Sequence, residues 1–143
     1  MGVANILAEK GRDVVSMAPD ASIREAVKLL NERKIGAIVV TDGSGGILGI
    51  LSERDVVRHL ALSGGAVLEM IVGRVMTAKV QTCKPEESIE TVMARMTRGR
   101  FRHLPVEEGG KLAGIISIGD VVKRRIEDIE READDIRSYI AMA

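Results

Sequence analysis

Aromatic residues are almost absent from this sequence of 143 residues, which contains one Phe, one Tyr and no Trp. Proteins that bind single-stranded nucleic acid stack its bases on several aromatic rings, so this scarcity argues against that class. The chain also lacks a net charge, because 21 basic residues balance 21 acidic ones. Without an overall positive field, neither nucleic acid nor an anionic membrane is an expected partner.

Cysteine is equally rare, since Cys83 is the only one. No disulfide can form within the chain, which is typical of a protein in the reducing cytoplasm. Residues 1–9 are apolar for too short a stretch to form a signal peptide, and no segment approaches the roughly 18 apolar residues of a membrane span. His59, His103 and Cys83 do not have the spacing of a metal site. We expect a cytoplasmic protein with neither a membrane span nor a metal.

The sequence does contain one unit written twice. Three segments recur in the same order in the two copies: 19–23 and 85–89, 38–40 and 104–106, 49–57 and 114–122. Chance could supply any one of these matches, but not three in the same order. The chain is therefore predicted to be an internal duplication, which decides how the rest of it is interpreted.

Each copy has the pattern of a β-α-β-β-α unit. A short extended piece (14–16 and 80–82) leads through a Pro turn into a helix whose apolar residues recur at 3.6-residue spacing. Two strands joined by a Gly-rich turn follow and predict an antiparallel hairpin. The predicted strands are 37–41 and 47–52 in the first copy, and 103–106 and 112–117 in the second. A second helix is expected to begin near Glu53 and near Ile118.

The two units are expected to form one α/β (α+β) body. A unit of about 50 residues buries too little surface to be stable alone, so the copies should pack face to face with pseudo-two-fold symmetry. The predicted divisions are a first repeat at 12–62, a linker with a short helix at 63–78, a second repeat at 79–126 and a C-terminal helical extension at 127–143. A helical segment is expected before the first repeat.

The repeated motif Gly-h-h-Ser-x-x-Asp (h, apolar) at 49–55 and 114–120, with the strands at 35–40 and 101–106, resembles that of CBS domains. The resemblance covers roughly residues 12–126 and includes both copies, so the chain is similar to a stand-alone tandem CBS pair, or Bateman module. Such modules have two clefts that bind AMP, ADP, ATP, S-adenosylmethionine or dinucleotides. The resemblance implies a non-catalytic sensor of an adenosine nucleotide, with AMP first and NAD(H), ATP or ADP next, that reports to an unknown effector.

The resemblance also implies which residues hold the ligand. The Ser and Asp of the motif face the ribose and the first phosphate, and the two strands that precede the Gly turn hold the adenine. The first site is expected to comprise Val14, Ser16, Gly36, Ala37, Ile38, Ser52, Arg54 and Asp55. The second site is expected to comprise Val80, Thr82, Arg102, His103, Leu104, Pro105, Ser117 and Asp120.

The motif makes chemical sense at a strand-to-helix junction. Backbone N–H groups and the positive helix end near Ser52 and Ser117 suit a phosphate, while Asp55 and Asp120 can accept hydrogen bonds from a ribose diol. The competing interpretation is a capping box, in which Ser caps the helix and the acid reaches back. One isolated copy would favour capping, whereas two matched copies favour ligand binding, and the two roles are compatible.

The two predicted clefts are chemically unequal. Arg102 and His103 lie in the second repeat where the first has Gly36 and Ala37, so the second cleft is expected to be the better phosphate site. Arg54 could provide a cation for the first cleft, or could be a solvated helix residue.

The C-terminal stretch carries an apolar stripe at alternating spacings of four and three, as in a coiled-coil seam. Its members are Val122, Ile126, Ile129, Ala133, Ile136 and Ile140. The stripe needs a partner, either a second subunit or the chain's own N-terminal helix around Ile6 and Leu7. The frequent homodimers of CBS modules favour the second subunit.

Two other functions compete with the sensor. An enzyme acting on the bound nucleotide would have Asp55 or Asp120 with His103 as its candidate groups, but no Walker-type loop is present. An adaptor would bind protein or nucleic acid through the C-terminal helix and the basic run of Arg95, Arg98, Arg100 and Arg102, which is more usually a solvated face.

Overall fold

The computed structural model describes residues 2–142. Its helices are α1 (Val3–Lys10), α2 (Ile23–Arg33), α3 (Glu53–Ser63), α4 (Val72–Val75), α5 (Ile89–Gly99) and α6 (Ile118–Met142), with a 3-10 helix at Gly64–Glu69. Its strands are β1 (Ser16–Met17), β2 (Ala37–Thr41), β3 (Ile47–Ser52), β4 (Thr77–Ala78), β5 (His103–Glu108) and β6 (Lys111–Ser117). The predicted α+β fold, with a helix before the repeats and a long helix after them, is confirmed.

Serine residues begin the helices of both repeats. Ser22, Ser52 and Ser88 each accept a hydrogen bond from the backbone N–H three residues further on. Such a side-chain acceptor satisfies one of the N–H groups that a helix start leaves without a partner. The apolar faces of α2 and α5 are buried, as their spacing predicts: Ile23, Ala26 and Leu30, and Ile89, Val92 and Met96.

Both predicted hairpins are present. β2 pairs antiparallel with β3, with Ala37 opposite Ser52, and β5 pairs antiparallel with β6, with His103 opposite Ser117. This register brings the start of the first strand of each hairpin beside the Ser of the motif. The pairing of two local strands therefore sets which residues lie beside the motif.

The short first strands differ from the expectation. β1 lies at Ser16–Met17 and pairs in parallel with β2, close to the predicted 14–16. The piece predicted at 80–82 is not a strand. The chain instead forms β4 at Thr77–Ala78, which pairs with β3 of the first repeat. Lys79 then adopts a positive φ of 54°, a left-handed conformation that ends the extended run before residue 80.

Each repeat has a core that is completed by the segment in front of the other repeat. Helix α1 buries Val3, Ile6 and Leu7 among the apolar residues of the second repeat. The 3-10 helix and α4 bury Val67, Val72 and Val75 among those of the first. The segment 64–75, predicted to be a linker, is thus part of the packing of the first repeat. Neither repeat could close its core without the exchanged segment.

The glycines of the two motifs mark where the exchanged segments come closest. A Cβ at Gly49 would lie 2.5 Å from the carbonyl oxygen of Thr77, and a Cβ at Gly114 would lie 2.7 Å from Cδ2 of Leu7. Both distances are far below van der Waals contact. Glycine at these positions lets the neighbouring segment pack directly against the strand.

Helix α6 runs without a break for 25 residues and buries Val121 and Asp128. Near its start α6 meets the chain's own N-terminal helix, where Val121 shares a core with Ile6 and Leu7 and Arg124 lies 3.4 Å from Glu9. The stripe residues Ile126, Ile129, Ile136 and Ile140 are 47–65% exposed. No helix within residues 2–142 is both long and apolar enough to cross a membrane.

The two motif glycines provide a matched test of the exchanged packing. Gly49→Ala should lower the free energy of unfolding by roughly 3 kcal/mol, because its methyl group meets the rigid backbone of Thr77. Gly114→Ala should cost about 1 kcal/mol or less, because the end of the Leu7 side chain can rotate away. Neither glycine has a positive φ, so backbone strain does not distinguish the two variants. The difference between them comes from the atoms that each methyl group would contact. Equal losses in urea unfolding would contradict this packing.

Candidate functional site

A cleft of about 630 Å³ lies between the two repeats. The first repeat contributes Gly36, Ile50, Ser52, Glu53, Arg54, Asp55, Val57 and Arg58 to its walls. The linking segment and the second repeat contribute Thr77, Lys79, Val80, Gln81, Arg100, Phe101, Arg102 and His103. The volume is within the range of pockets that enclose a small organic ligand.

The first motif lies in the wall of this cleft. The Ser52 backbone N–H donates to Asp55 Oδ2 at 3.0 Å, and the Asp55 N–H donates to Ser52 Oγ at 3.3 Å. The Thr77 hydroxyl donates to Asp55 Oδ1 at 3.1 Å, and an Arg58 guanidinium nitrogen is 3.6 Å from the same oxygen. The capping box is therefore formed, and Asp55 is buried at the base of the cleft.

The second motif forms the same box with a different third partner. The Ser117 N–H donates to Asp120 Oδ2 at 2.9 Å, and the Asp120 N–H donates to Ser117 Oγ at 3.1 Å. Lys10 Nζ lies 2.7 Å from Asp120 Oδ2 and donates to the Ile115 carbonyl at 3.0 Å. Burial acts most strongly on the pKa of Asp120 and would raise it, but the hydrogen bonds from Lys10 and Ser117 outweigh burial and lower it.

The structure brings residues from both predicted sites into one cleft. They are Gly36, Ser52, Arg54 and Asp55 from the first set, and Val80, Arg102 and His103 from the second. Arg102 and His103 thus border the first motif as well as the second, where His103 lies opposite Ser117. The reason is the close approach of the two repeats where β2 and β5 begin: a Cβ at Gly36 would be 3.1 Å from Cε1 of His103.

The other predicted residues do not line this cleft. They are Val14, Ser16, Ala37, Ile38, Thr82, Leu104, Pro105, Ser117 and Asp120. Ile38 and Leu104 are fully buried in the cores of their repeats. The Thr82 carbonyl accepts a hydrogen bond from Arg95, and the Pro105 carbonyl accepts one from the Cys83 N–H. Through these contacts both residues take part in the packing of the second repeat.

Several lining residues carry no repeat signal in the sequence and were missed. Thr77, Lys79 and Gln81 come from the linking segment, which has no counterpart in the repeat pattern, and Arg58 lies one turn beyond the motif on α3. Lys79 and Arg100 both have a positive φ, of 54° and 56°. Residues other than Gly rarely adopt this backbone conformation, and those that do are concentrated at functional sites.

The cleft carries more positive than negative charge. Its cationic side chains are Arg54, Arg58, Lys79, Arg100 and Arg102, and its carboxylates are Glu53 and Asp55. Within residues 2–142, Arg58 is the member of this cationic set that lies within 4 Å of a carboxylate. Burial is the main influence on His103 and lowers its pKa, so the imidazole adds no charge at neutral pH. The remaining cations point to an anionic ligand.

Two other kinds of chemistry find no support in the described residues. No group of three or more His, Cys, Asp or Glu side chains within 2–142 could hold a metal ion. The Cys83 thiol is buried, and burial raises its pKa to about 12. A thiol with this pKa stays protonated and unreactive at neutral pH.

Comparison with known proteins assigns the family. A model of the CBS domain matches residues 6–62 and again 72–127. A CBS-domain containing protein from Agrobacterium tumefaciens is 53% identical in sequence, with a TM-score of 0.84 over 87% of this chain and 99% of its own. The mitochondrial CBS domain-containing protein CBSX3 of Arabidopsis thaliana is 30% identical over 96% of this chain and 71% of its own length.

A more distant structure shares the fold. The CBS domain pair of protein MJ0100, solved in complex with 5'-methylthioadenosine and S-adenosyl-L-methionine, is 22% identical with a TM-score of 0.79 over 90% of this chain and 98% of its own. The two matches to the domain model span both repeats and most of the chain. This chain therefore belongs to the CBS domain family and carries the domain twice.

Proposed function

We propose that this protein is a cytoplasmic regulatory module that binds a phosphorylated adenosine nucleotide in the cleft between its repeats and reports it to an effector. The observation that carries the proposal is the surplus of cations around a cleft of nucleotide size, next to the Ser52–Asp55 motif. The likeness in fold to a CBS pair solved with two adenosine compounds supports the adenosine part of the ligand. The cations support the phosphate part, which those two compounds lack.

The cleft offers a matching group for each part of such a ligand. The positive end of α3 favours a phosphate nearby, with the Asp55 and Glu53 N–H groups already donating to Ser52 Oγ and the Gly36 carbonyl. Arg100 and Arg102 can each form charge-assisted hydrogen bonds with phosphate oxygens. Asp55 is one of the acceptors available to ribose hydroxyls. Phe101 and Val80 supply apolar surface for the base.

The charge of the cleft ranks the candidate nucleotides. Five cationic side chains and two carboxylates line it, so a ligand with one phosphate would leave positive charge without a partner. A terminal phosphate monoester carries close to two negative charges at neutral pH, whereas each phosphate of a dinucleotide carries one, so ADP and ATP compensate the cleft better than AMP or NAD(H) does. We therefore place ADP and ATP above AMP, the first choice from the sequence.

We further propose that a second copy of this chain covers α6. The exposed residues Ile126, Ile129, Ile136 and Ile140 follow the spacing of a coiled-coil seam. The same stripe on a second copy is complementary to it under a two-fold axis. Burial of each Ile side chain is worth roughly 1.5–3 kcal/mol, and an isolated helix end of this length is marginal in water.

Nucleotide binding is tested first by thermal unfolding. Because a ligand that binds the folded state alone stabilises it by mass action, ADP at a hundredfold excess over Kd should add about 2.7 kcal/mol. We expect the Tm to rise with ADP and ATP, to rise less with AMP and NADH, and to change least with adenosine. No rise with any of them at millimolar concentration would contradict the proposed function.

The role of the cationic wall is tested by one matched pair of variants. Arg102→Gln should weaken ADP binding about tenfold, because a charge-assisted hydrogen bond contributes roughly 1.5–3 kcal/mol. Arg98→Gln removes a charge from α5 outside the cleft and should leave the Kd within a factor of two. Calorimetric titration of both variants gives the comparison. Equal losses would show that the effect is general electrostatics rather than contact with the phosphates.

Dimerisation is tested by light scattering. The wild-type protein should have twice the 15.4 kDa mass of one chain, and Ile129→Asp combined with Ile136→Asp should give a folded monomer. Arg131→Asp combined with Ser138→Asp places two acids on exposed positions outside the stripe and should leave the dimer intact. An Ile double variant that is still a dimer would contradict a seam along α6.

A further inference from the structure

His103 lies where the two repeats meet. It begins β5 opposite Ser117 of the second motif, and it also borders the first repeat, because a Cβ at Gly36 would be 3.2 Å from Nε2 of its imidazole. The side chain is half-buried and lines the cleft. The other histidine of the chain, His59, lies on α3 with Nδ1 3.0 Å from the Asp55 carbonyl oxygen.

Burial and several charged groups act on the His103 imidazole. Burial is the largest influence on its pKa and lowers it. Glu53 at the start of α3 and Asp120 at the start of α6 favour the protonated form, whereas Lys10 of α1 and the adjacent Arg102 oppose it. The other charged groups of the cleft wall are four cations and one carboxylate: Arg54, Arg58, Lys79, Arg100 and Asp55. In the free protein the imidazole is therefore neutral at neutral pH.

A bound polyanion would change this balance. The terminal phosphate of ADP carries close to two negative charges at neutral pH, and a nearby negative charge favours the protonated form of a histidine. A phosphate held by Arg102 would also offset the positive field of that guanidinium, which opposes protonation of its neighbour. Both effects raise the pKa of His103. The ordinary pKa of histidine is close to physiological pH, so a modest rise is enough to change its charge.

We propose that His103 takes up a proton from solvent when the nucleotide binds, so that nucleotide affinity increases as the pH falls through the neutral range. The proposal rests on the proposed nucleotide binding and adds its regulation by pH. A group that is neutral in the free protein and protonated in the complex makes binding consume a proton, and acid then favours the complex. The dependence is confined to the pH range between the pKa of His103 in the free protein and its pKa in the complex.

Calorimetric titration with ADP in buffers of different ionisation enthalpy tests the proton uptake. At about pH 7 the wild-type protein should take up a fraction of a proton per ADP, and the Kd should fall about threefold from about pH 8 to about pH 7. His103→Gln keeps a polar side chain that does not ionise, so the uptake should fall to the contribution of ADP itself. His59→Gln removes the other imidazole and should retain the wild-type uptake.

Proton NMR gives a second readout on the wild-type protein, which does not depend on how well a variant folds. The Cε1–H signal of His103 should titrate at a higher pH with ADP than without it, and the signal of His59 should move less. No binding of ADP would refute the proposed function itself. Binding of ADP with an unchanged His103 titration, or with equal proton uptake in the wild type and His103→Gln, would refute the proton uptake alone.

Discussion

The exchange of segments between the two repeats is the constraint on which the rest of the molecule depends. Helix α1 fills the core of the second repeat with Val3, Ile6 and Leu7, and the segment before β4 fills the core of the first with Val67, Val72 and Val75. A unit of this size buries too little apolar surface alone. The exchange joins two incomplete units into one body. It also places the segment in front of each repeat directly beside the motif of the other repeat.

The composition of the cleft follows from this arrangement. Because β4 pairs with β3, Thr77 reaches Asp55, and the residues after it line the cleft wall. Because β5 begins next to Gly36, Arg102 and His103 border the first motif as well as their own. The first repeat thus supplies the strand-to-helix junction with Arg54 and Arg58, and the second half of the chain adds Lys79, Arg100 and Arg102. The site belongs to the pair and not to either domain.

Local structure was predictable because its causes lie within a few residues of one another. β-branched runs on either side of a Gly-rich turn give hairpins at 37–52 and 103–117, and serine caps fix the starts of the helices. The capping boxes weighed against ligand binding are both present. They fix the orientation of the Ser and Asp in each motif, and Ser52 and Asp55 of the first motif line the cleft. The sequence repeat further indicated the family, which the match to the domain model confirms.

The sequence by itself determined the duplicated β-α-β-β-α unit, the two motifs and the long amphipathic C-terminal helix, because periodicity, turns and caps are short-range. Only the tertiary structure decided which cations face which motif. Lys10 and Asp120 are 110 residues apart in the chain, and no sequence pattern around either residue predicts their contact. The repeats specify nearly the same local fold twice, while the segments in front of the two repeats differ. The packing of those segments therefore makes the two motifs unequal.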